Sequence, residues 1–568
     1  MTTTSDTRTG QAGAATVQGT GVVPGVAYAQ AVWTRPQPEI ELRQDELPED
    51  QREAEAERLA AAADVVAGRL EERSQHVTGV AAEVLDATAG LARDKGPISA
   101  GRKRVMKGED ATRAMIGATE QFVGMFEKLG GVMAERTTDL RDIRARVVAE
   151  LEGMPEPGVP HPDHPFVLLA DDLAPADTAD LDPQLVRALV TSLGGPTSHT
   201  SIIARQRGIP CVVAATGLED VEDGVMVLVD GGTGLLEVEP EADEAQRRAL
   251  ASAEELERVR AWRGPAATSE GDRVDLLANV QNAESAAQAA SGQAEGVGLF
   301  RTELCFLGRD TEPTPEQQAD IYAGVLRAFP DGKVVTRTLD AGSDKPLAFI
   351  TQPDEPNPAL GVRGARIVQL DEGMMTRQLD AVAQAAEQVG RPLEDTWVMA
   401  PMIATPQEAK DFADLVRERG MTPGVMVEVP SVALQAEQVL EHVDFLSIGT
   451  NDLSQYTMAA DRMAPTLAGL TDPWQPAVLR LIGMTASAGA AAGKPVGVCG
   501  EAAADPALAC VLVGLGVTSL SMAAGAVPGV GARLSQVSRE QCAEAARVAL
   551  EASSAGAARS AAADALTA

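Results

Sequence analysis

From residue 274 onward, the sequence repeats one unit eight times: a short apolar run followed by a stretch with helical periodicity. The apolar runs are 274–280, 296–300, 333–339, 397–403, 424–429, 444–449, 495–500 and 519–522. Helical patterns occupy 314–329, 372–389, 406–419, 433–442, 476–492, 506–514 and 533–552. A strand followed by a helix, eight times over, is typical of a (β/α)8 TIM barrel. We therefore predict such a barrel over 265–553.

The first half of the sequence predicts a second α/β domain interrupted by helices. Apolar runs near residue 25 and at 166–170, 188–193, 211–213 and 226–230 favour short strands. Between them, 44–152 shows helical periodicity with many charges, and the segment GMPEPGVPHPDHP at 153–165 ends it, because proline disrupts helices. The predicted organisation is a disordered tail, a split α/β domain, an inserted helical bundle, a helical linker, the barrel and a second disordered tail. The ranges are 1–16, 17–43 with 153–236, 44–152, 237–264, 265–553 and 554–568.

Charge and cysteine usage restrict the classes of partner. The chain has 48 basic and 83 acidic residues, a net charge of −35. A surface this acidic disfavours non-specific binding to nucleic acid or anionic membranes. It favours a basic protein partner, or it serves solubility alone. No run of about 18 apolar residues predicts a membrane span, and five scattered cysteines indicate a reducing, cytoplasmic setting.

Polar residues follow several of the predicted barrel strands, where the catalytic groups of such barrels lie. Arginines offer fixed planar donors to phosphate and carboxylate oxygens. Two carboxylates on neighbouring strands could share one Mg²⁺. The candidates therefore predict a site for a small phosphorylated acid. They are Arg301, Glu303, Arg337, Lys345, Arg363, Glu428, Asn451, Asp452, Arg462 and Cys499.

A second centre lies at 194–213, GGPTSHTSIIARQRGIPCVV. His199 stands among Gly, Thr and Ser, just before a predicted helix whose first amides could receive an anion. A neutral imidazole has a lone pair available for attack on phosphorus. A single histidine is more often structural, but this setting favours a phosphate carrier.

These segments resemble enzyme I of the phosphoenolpyruvate-dependent sugar phosphotransferase system, the phosphoenolpyruvate–protein phosphotransferases. The matching motifs are GGPTSHTSIIAR, GVGLFRTE, NPALGVR, MVEVPS, DFLSIGTNDLSQYTMAADR and VGVCGE. The similarity extends from about residue 17 to about residue 548, with the motifs in the family's order.

The resemblance implies a role for each candidate. His199 would be phosphorylated through Nε2, and Cys499 would protonate the enolate carbon. Phosphoenolpyruvate would be bound by Arg301, Arg337, Asn451, Asp452 and Arg462, with Arg363, Lys345 and Glu303 in support. Glu428 and Asp452 would hold Mg²⁺. The helical bundle would dock the phosphocarrier HPr, and the barrel would form a homodimer.

Two alternative functions are a dikinase and a non-catalytic regulator. A dikinase shares the histidine domain and barrel but needs a nucleotide-binding domain, for which the sequence before His199 shows no glycine-rich phosphate loop. A non-catalytic regulator would have lost polar barrel positions, whereas the motifs here keep them. The chain departs from the family at Ala174, where a threonine is usual, which puts the resting orientation of His199 in doubt.

Overall fold

The computed structural model describes most of the chain and divides it into two compact units. The described residues are 15–35, 40, 45–75, 80–129, 137–160, 162–173, 175–178, 181–196, 198–342, 347–350 and 355–567. The units are Met1–Glu257 and Arg258–Ala568. Lys345 and Ala174 lie outside the described residues.

The first unit contains a group of long helices whose buried faces are rich in alanine and leucine. In the first of them, Leu59, Ala63, Val66 and Leu70 recur every three or four residues and are fully buried. This spacing places them on one helix face, so small apolar side chains let the helices pack closely. The helices are α1 (Arg52–Ser74), α2 (Val80–Ala92), α3 (Lys95–Val105), α4 (Ala111–Leu129) and α5 (Thr137–Glu152).

The α/β part of the first unit is a closed sheet of seven strands in the described residues. They are β1 (Ala15–Val23), β2 (Val26–Trp33), β3 (Phe166–Ala170), β4 (Val186–Thr191), β5 (Cys211–Thr216), β6 (Met226–Asp230) and β7 (Leu235–Val238), in the order β1-β5-β4-β3-β2-β6-β7. The helices here are α6 (Pro175–Thr178) and α7 (His199–Arg207). Helix α8 (Ala242–Ala261) begins in this unit and continues past its last residue, Glu257. Because β2 pairs directly with β3, helices α1–α5 leave and re-enter the sheet at neighbouring strands.

The second unit is a closed barrel of eight parallel strands, which confirms the predicted fold class. They are β8 (Asp275–Val280), β9 (Val297–Arg301), β10 (Val334–Arg337), β11 (Trp397–Ala400), β12 (Thr422–Val427), β13 (Phe445–Ile448), β14 (Val496–Val498) and β15 (Ser519–Met522). Strand β15 pairs with β8 and closes the ring. Inside it, an apolar cluster of Leu299, Val335, Met399, Met426, Phe445 and Cys499 fills the space.

The helices of the barrel begin at the caps that their sequences favour. Asn282, Thr314, Thr405 and Ser538 each form a reciprocal capping box with the residue three positions later. The helices are α9 (Ala283–Ser291), α10 (Pro315–Ala328), α11 (Glu372–Val389), α12 (Pro406–Arg417), α13 (Pro430–Leu434), α14 (Ala436–Leu440), α15 (Thr450–Met458), α16 (Pro476–Ala492), α17 (Pro506–Gly514), α18 (Val527–Leu534), α19 (Arg539–Glu551) and α20 (Ala555–Ala565).

The two predicted disordered tails need correction where they overlap the described residues. Helix α20 occupies most of 554–568: Ser554 caps it, and Ala555, Ala558 and Ala562 are buried against the barrel core. Alanines at this spacing give a packing face without any large side chain. At the other end, β1 begins at Ala15 because it pairs with β7. Residues 1–14 of the other predicted tail lie outside the described residues.

A buried arginine ties α5 to the α/β part of its unit. Arg146 is 1% exposed, and its guanidinium pairs with Asp142 at 2.8 Å, with Asp177 at 2.5 Å and with Glu156. Burial raises the pKa of Asp177 to about 6, although the Arg146 charge opposes this. The arginine therefore compensates several carboxylates that packing has removed from water.

We expect Arg146→Ala to lower the free energy of unfolding of this unit by about 3–5 kcal/mol, because it leaves buried carboxylates without their cation. Urea denaturation followed by circular dichroism measures the change. Arg141→Ala on the same helix is the matched control, since its pair with Glu127 is exposed and worth about 0–1 kcal/mol. Equal midpoints for the two variants would contradict a stabilising role for Arg146.

Candidate active site

The carboxyl ends of the barrel strands surround a cavity of about 610 Å³. Its lining draws charged and polar side chains from segments far apart in the sequence, because parallel strands end at one face of the barrel. Eight of the ten barrel residues predicted from the sequence line it: Arg301, Glu303, Arg337, Glu428, Asn451, Asp452, Arg462 and Cys499. Arg363 contacts residues of this group, and Lys345 lies outside the described residues.

Arg337 lies at the end of β10 and is surrounded by carboxylates. Its guanidinium pairs with Glu303, lies 3.4 Å from Asp340 Oδ2 and lies 4.0 Å from Glu428 Oε1. Burial alone would lower the pKa of Arg337, but the three negative charges outweigh it and raise the pKa. The arginine therefore stays charged in a site where it is only 6% exposed.

Arg363 connects Asp340 to a further carboxylate, Asp452. Its Nη2 is 3.1 Å from Asp340 Oδ2, and its Nη1 is 3.2 Å from Asp452 Oδ1. Nη1 also lies 3.4 Å from the Tyr456 hydroxyl. Because Asp340 accepts from Arg363 while facing Arg337, the two guanidiniums are joined through one carboxylate.

Glu428 is a buried carboxylate held by strained backbone. Its Oε2 accepts a hydrogen bond of 3.0 Å from the Met402 amide, and Met402 adopts a φ of 60°, the left-handed region that side chains other than glycine rarely occupy. Burial, followed by the charges of Asp340 and Asp452, raises the pKa of Glu428 to about 8. A carboxyl group in this position loses its proton readily only when a cation binds nearby.

The site's acidic donors suit a hard divalent cation that also binds substrate. Glu428 and Asp452 both line the cavity, and Asp452 lies in the first turn of α15. Among the described residues, no group of three or more His, Cys, Asp or Glu is arranged to hold a metal alone. Mg²⁺ is commonly bound through one or two carboxylates together with phosphate oxygens and water, and the donor set here fits that pattern.

Glycines let the walls of the site approach closely. A Cβ at Gly449, just before α15, would lie 2.7 Å from Glu428 Cγ. A Cβ at Gly500 would lie 1.9 Å from Thr450 Oγ1. Any side chain at either position would push apart the segments that carry Glu428, Asp452 and Cys499.

Asn451, Arg462 and Arg301 form the more open part of the site. The Asn451 amide donates to Glu501 at 3.4 Å, and its carbonyl accepts from the Glu501 amide at 3.3 Å. Arg462 Nη1 lies 3.9 Å from Asp452 Oδ2. Arg301 ends β9 and is exposed. These side chains remain accessible to an anion that enters the cavity.

Two buried polar atoms in the cavity wall have no hydrogen-bond partner: Arg337 Nε and Glu303 Oε2. An unsatisfied buried donor or acceptor is costly, and such atoms commonly mark a place where a ligand or ion binds. They lie on Arg337 and Glu303, the two side chains of one buried ion pair of the site.

Cys499 follows β14 and is a buried, protonated thiol. Its Sγ lies 3.6 Å from the Ile448 carbonyl, and its side chain is part of the apolar cluster inside the barrel. Burial raises the pKa of Cys499 to about 11. At neutral pH the group is therefore an acid that carries a proton at the cavity wall.

His199 belongs to the other unit, where it is the first residue of α7. Ser198 caps this helix, accepting from the Ser201 amide at 3.3 Å. The buried Thr200 hydroxyl has no partner. The side chain of His199 lies outside the described residues. The sequence expectation put the helix after this histidine, whereas the helix begins at it.

The sequence alone predicts no role in the site for Asp340 or Tyr456, although both contact site residues in the structure. Asp340 is 3% exposed and joins Arg337 to Arg363. Its position three residues after Arg337 was the available signal. Tyr456 follows Asp452 by four residues on α15, a spacing that places both on one helix face.

Three family models match consecutive parts of this chain. They describe the N-terminal part of a PEP-utilising enzyme over residues 18–136, its mobile domain over 162–234 and its PEP-binding domain over 254–539. The chain is 48% identical to the phosphoenolpyruvate-protein phosphotransferase of Streptomyces coelicolor, over 96% of this chain and 98% of that protein. It is 38% identical to the Haloferax volcanii protein of the same name, over 92% and 94%, and 34% identical to that of Priestia megaterium, over 92% and 94%.

We expect Cys499 to resist alkylation in the folded protein. All five cysteines are buried, and a thiol with a pKa near 11 is about one-thousandth thiolate at pH 8. Iodoacetamide labelling followed by peptide mass spectrometry should leave Cys499 unmodified until denaturant is added, when all five cysteines react. Rapid native labelling at Cys499 would show that the thiol is neither buried nor protonated.

Proposed function

This chain belongs to the phosphoenolpyruvate–protein phosphotransferase family, the enzyme I family of the phosphotransferase system, and on that premise we propose how it performs its phosphotransfer. It takes the phosphoryl group of phosphoenolpyruvate onto its own His199, releases pyruvate and passes the group to a histidine of the phosphocarrier HPr. The observation that carries this proposal is the single cavity that gathers arginines, carboxylates and a protonated thiol at one end of the barrel.

The arginines account for binding of the substrate's phosphate. Arg301 ends β9, Arg337 ends β10 and Arg462 follows α15, and all three line the cavity. Guanidinium donors match phosphate oxygens in charge and geometry. Arg337 Nε is buried and unpartnered, so a phosphate oxygen would satisfy it. Positive groups fixed in advance around a transferring phosphoryl group are the main source of catalysis in this class of reaction.

The remaining polar groups orient the substrate and hold the arginines in place. Asn451 and Asp452, in the first turn of α15, complete the proposed substrate contacts. Glu303 and Arg363 support them through the ion pairs with Arg337 and Asp452. Lys345 is proposed as a further supporting residue from its motif alone.

Glu428 and Asp452 would hold the proposed Mg²⁺. Burial, followed by the charges of Asp340 and Asp452, raises the pKa of Glu428, and a divalent cation nearby would favour its ionised form. When bound, the ion supplies charge neutralisation for the phosphate and enolate oxygens.

The transfer exchanges one bond for another. His199 Nε2 attacks phosphorus, forming the N–P bond as the bond between phosphorus and the enol oxygen breaks. The enolate then takes a proton at its methylene carbon from Cys499, giving pyruvate. Cys499 suits this step because its thiol is protonated at neutral pH and lies in the cavity wall.

The two-step reaction requires His199 to meet two partners in turn. His199 belongs to the unit Met1–Glu257, whereas the cavity belongs to Arg258–Ala568. We propose that the α/β domain swings about the linker at 237–264, so that His199 reaches the substrate and then HPr. Motions of this kind commonly gate multi-step enzymes.

The partners and setting follow from the same proposal. The helical region 44–152 would dock HPr, whose basic face suits a chain of net charge −35. The barrel would form a homodimer, and the protein would act in the cytoplasm at the first step of sugar uptake. In the part of the chain that the structure describes, no helix is long and apolar enough to span a membrane.

Replacing the proposed phosphate carrier tests the core of the proposal. We expect His199→Ala to abolish acid-labile, base-stable labelling from radioactive phosphoenolpyruvate, because His199 is the residue proposed to accept the phosphoryl group. His164→Ala in the same unit is the control and should label normally. Labelling that persists in His199→Ala would place the phosphoryl group on another residue, and labelling from ATP instead would favour a dikinase.

Binding of Mn²⁺, as a stand-in for Mg²⁺, tests the proposed ligands without turnover. We expect Glu428→Gln to weaken Mn²⁺ binding at least about tenfold in the presence of phosphoglycolate, an unreactive substrate analogue. Electron paramagnetic resonance of free Mn²⁺ measures this. Glu408→Gln is the matched control, because Glu408 caps α12 and glutamine preserves that cap. Unchanged binding in Glu428→Gln would remove this residue from the metal site.

A further inference from the structure

We propose that Gln378 is a positioning residue for the reaction with phosphoenolpyruvate: its side-chain amide holds together the two strand ends that carry Arg301 and Arg337. The inference rests on the proposed function, because it assigns those arginines to the substrate. Gln378 lies on α11 and is only 1% exposed. It does not line the cavity.

Every hydrogen-bonding atom of the Gln378 amide has an assigned use. Its Oε1 accepts from the Leu339 backbone amide at 2.9 Å. Its Nε2 donates to the Thr302 hydroxyl at 3.0 Å and to the Tyr322 hydroxyl at 3.1 Å. Because a backbone N–H can only donate, the contact with Leu339 fixes which end of the amide is oxygen, and the two hydroxyls must then accept.

Thr302 carries the connection to the second arginine. Its hydroxyl donates to the carbonyl oxygen of Arg337 at 3.0 Å while accepting from Gln378. Thr302 is also the residue between Arg301 and Glu303, the partner of the Arg337 guanidinium. One amide therefore fixes the backbone just beyond β9 and just beyond β10, where regular strand pairing ends.

On its other side, the amide is anchored to α10. The Tyr322 hydroxyl donates to Gln318 Oε1 at 3.0 Å, and Gln318 Nε2 donates to the Pro313 carbonyl at 2.9 Å. The Tyr322 ring packs edge-on against Phe300, with centroids 5.6 Å apart. The network is buried throughout, so its geometry is set by packing and not by solvent.

This arrangement predicts a specific kinetic effect. Long-range attraction between the cavity's guanidiniums and a multiply charged anion survives a small displacement of the strand ends. A small displacement does disturb the alignment of the guanidiniums with the charge that develops on the phosphoryl group during transfer, since displacements near 1 Å can cost about a hundredfold in rate. Loss of the Gln378 bonds should therefore lower the transfer rate much more than it weakens substrate binding.

The test is single-turnover phosphorylation of the full chain by phosphoenolpyruvate over a range of concentrations. In Gln378→Met, which keeps side-chain length and removes the hydrogen bonds, we expect the maximal rate to fall at least tenfold. The half-saturating concentration should change by less than threefold. Melting temperatures above the assay temperature establish that each variant is folded.

Tyr322→Phe is the matched control. It removes the two buried hydrogen bonds of the Tyr322 hydroxyl, one to Gln378 and one to Gln318. Because it leaves the Gln378 bonds to Leu339 and Thr302, we expect a maximal rate within about twofold of the unmodified protein. If Gln378→Met does not fold, Thr302→Val cuts the link to the Arg337 carbonyl with little change of shape and should show the same kinetic split.

Each outcome decides the inference. A Gln378→Met protein with the normal maximal rate would overturn it, and so would an equal loss in Tyr322→Phe, which would show that general loosening of the network is enough. If the unmodified protein itself accepts no phosphoryl group from phosphoenolpyruvate, the proposed function fails instead, and the two failures are thereby distinguished.

Discussion

Buried charge is the constraint on which the arrangement of the barrel site depends. Arg337 and Arg363 are buried cations, and Glu303, Asp340 and Asp452 compensate their charge. Removing one partner from such a network leaves an uncompensated charge, which is far more costly than losing an exposed pair. The pairs therefore hold one another in fixed directions, so these donors would need little rearrangement to bind the phosphate of the proposed substrate.

The same network explains why the cavity suits an anion together with a cation. Arg337 Nε has no hydrogen-bond partner, while burial, followed by the charges of Asp340 and Asp452, raises the pKa of Glu428 to about 8. Each imbalance is relieved by a ligand of opposite charge. Helix α15 adds to this because Asn451 and Asp452 lie in its first turn, where backbone amides point outward. A phosphorylated acid with a divalent ion satisfies both sides.

The division of the chain into units separates two kinds of chemistry. The barrel unit offers a deep site lined by fixed charges, while the unit that contains His199 presents this residue at the start of α7. Because His199 and the cavity belong to different units, its imidazole would suit the proposed transfer of a phosphoryl group from one binding site to another. The helices α1–α5, inserted between the neighbouring strands β2 and β3, give that unit a second surface on which a protein partner could dock.

Much of this organisation could be predicted from sequence because most of the candidate site residues follow closely after the apolar runs that form the barrel strands. The eight barrel strands follow from repeated apolar runs, and the polar residues after them converge on one cavity. What the sequence could not reveal depends on contacts between distant segments. The buried residues of helix α20 are all alanines, so its composition resembles that of a disordered tail. Strand β7 is recognisable only through its pairing with β1 and β6, and Asp340 gains its role only when Arg363 approaches it.

The most direct test of the account is a crystal structure of the full chain grown with Mn²⁺ and phosphoglycolate, with the metal located by anomalous scattering. The account predicts one strong peak bonded to oxygens of Glu428 and Asp452, with the phosphate within hydrogen-bond distance of Arg301, Arg337 and Arg462. A peak bound elsewhere, or a phosphate seated away from these arginines, would contradict it.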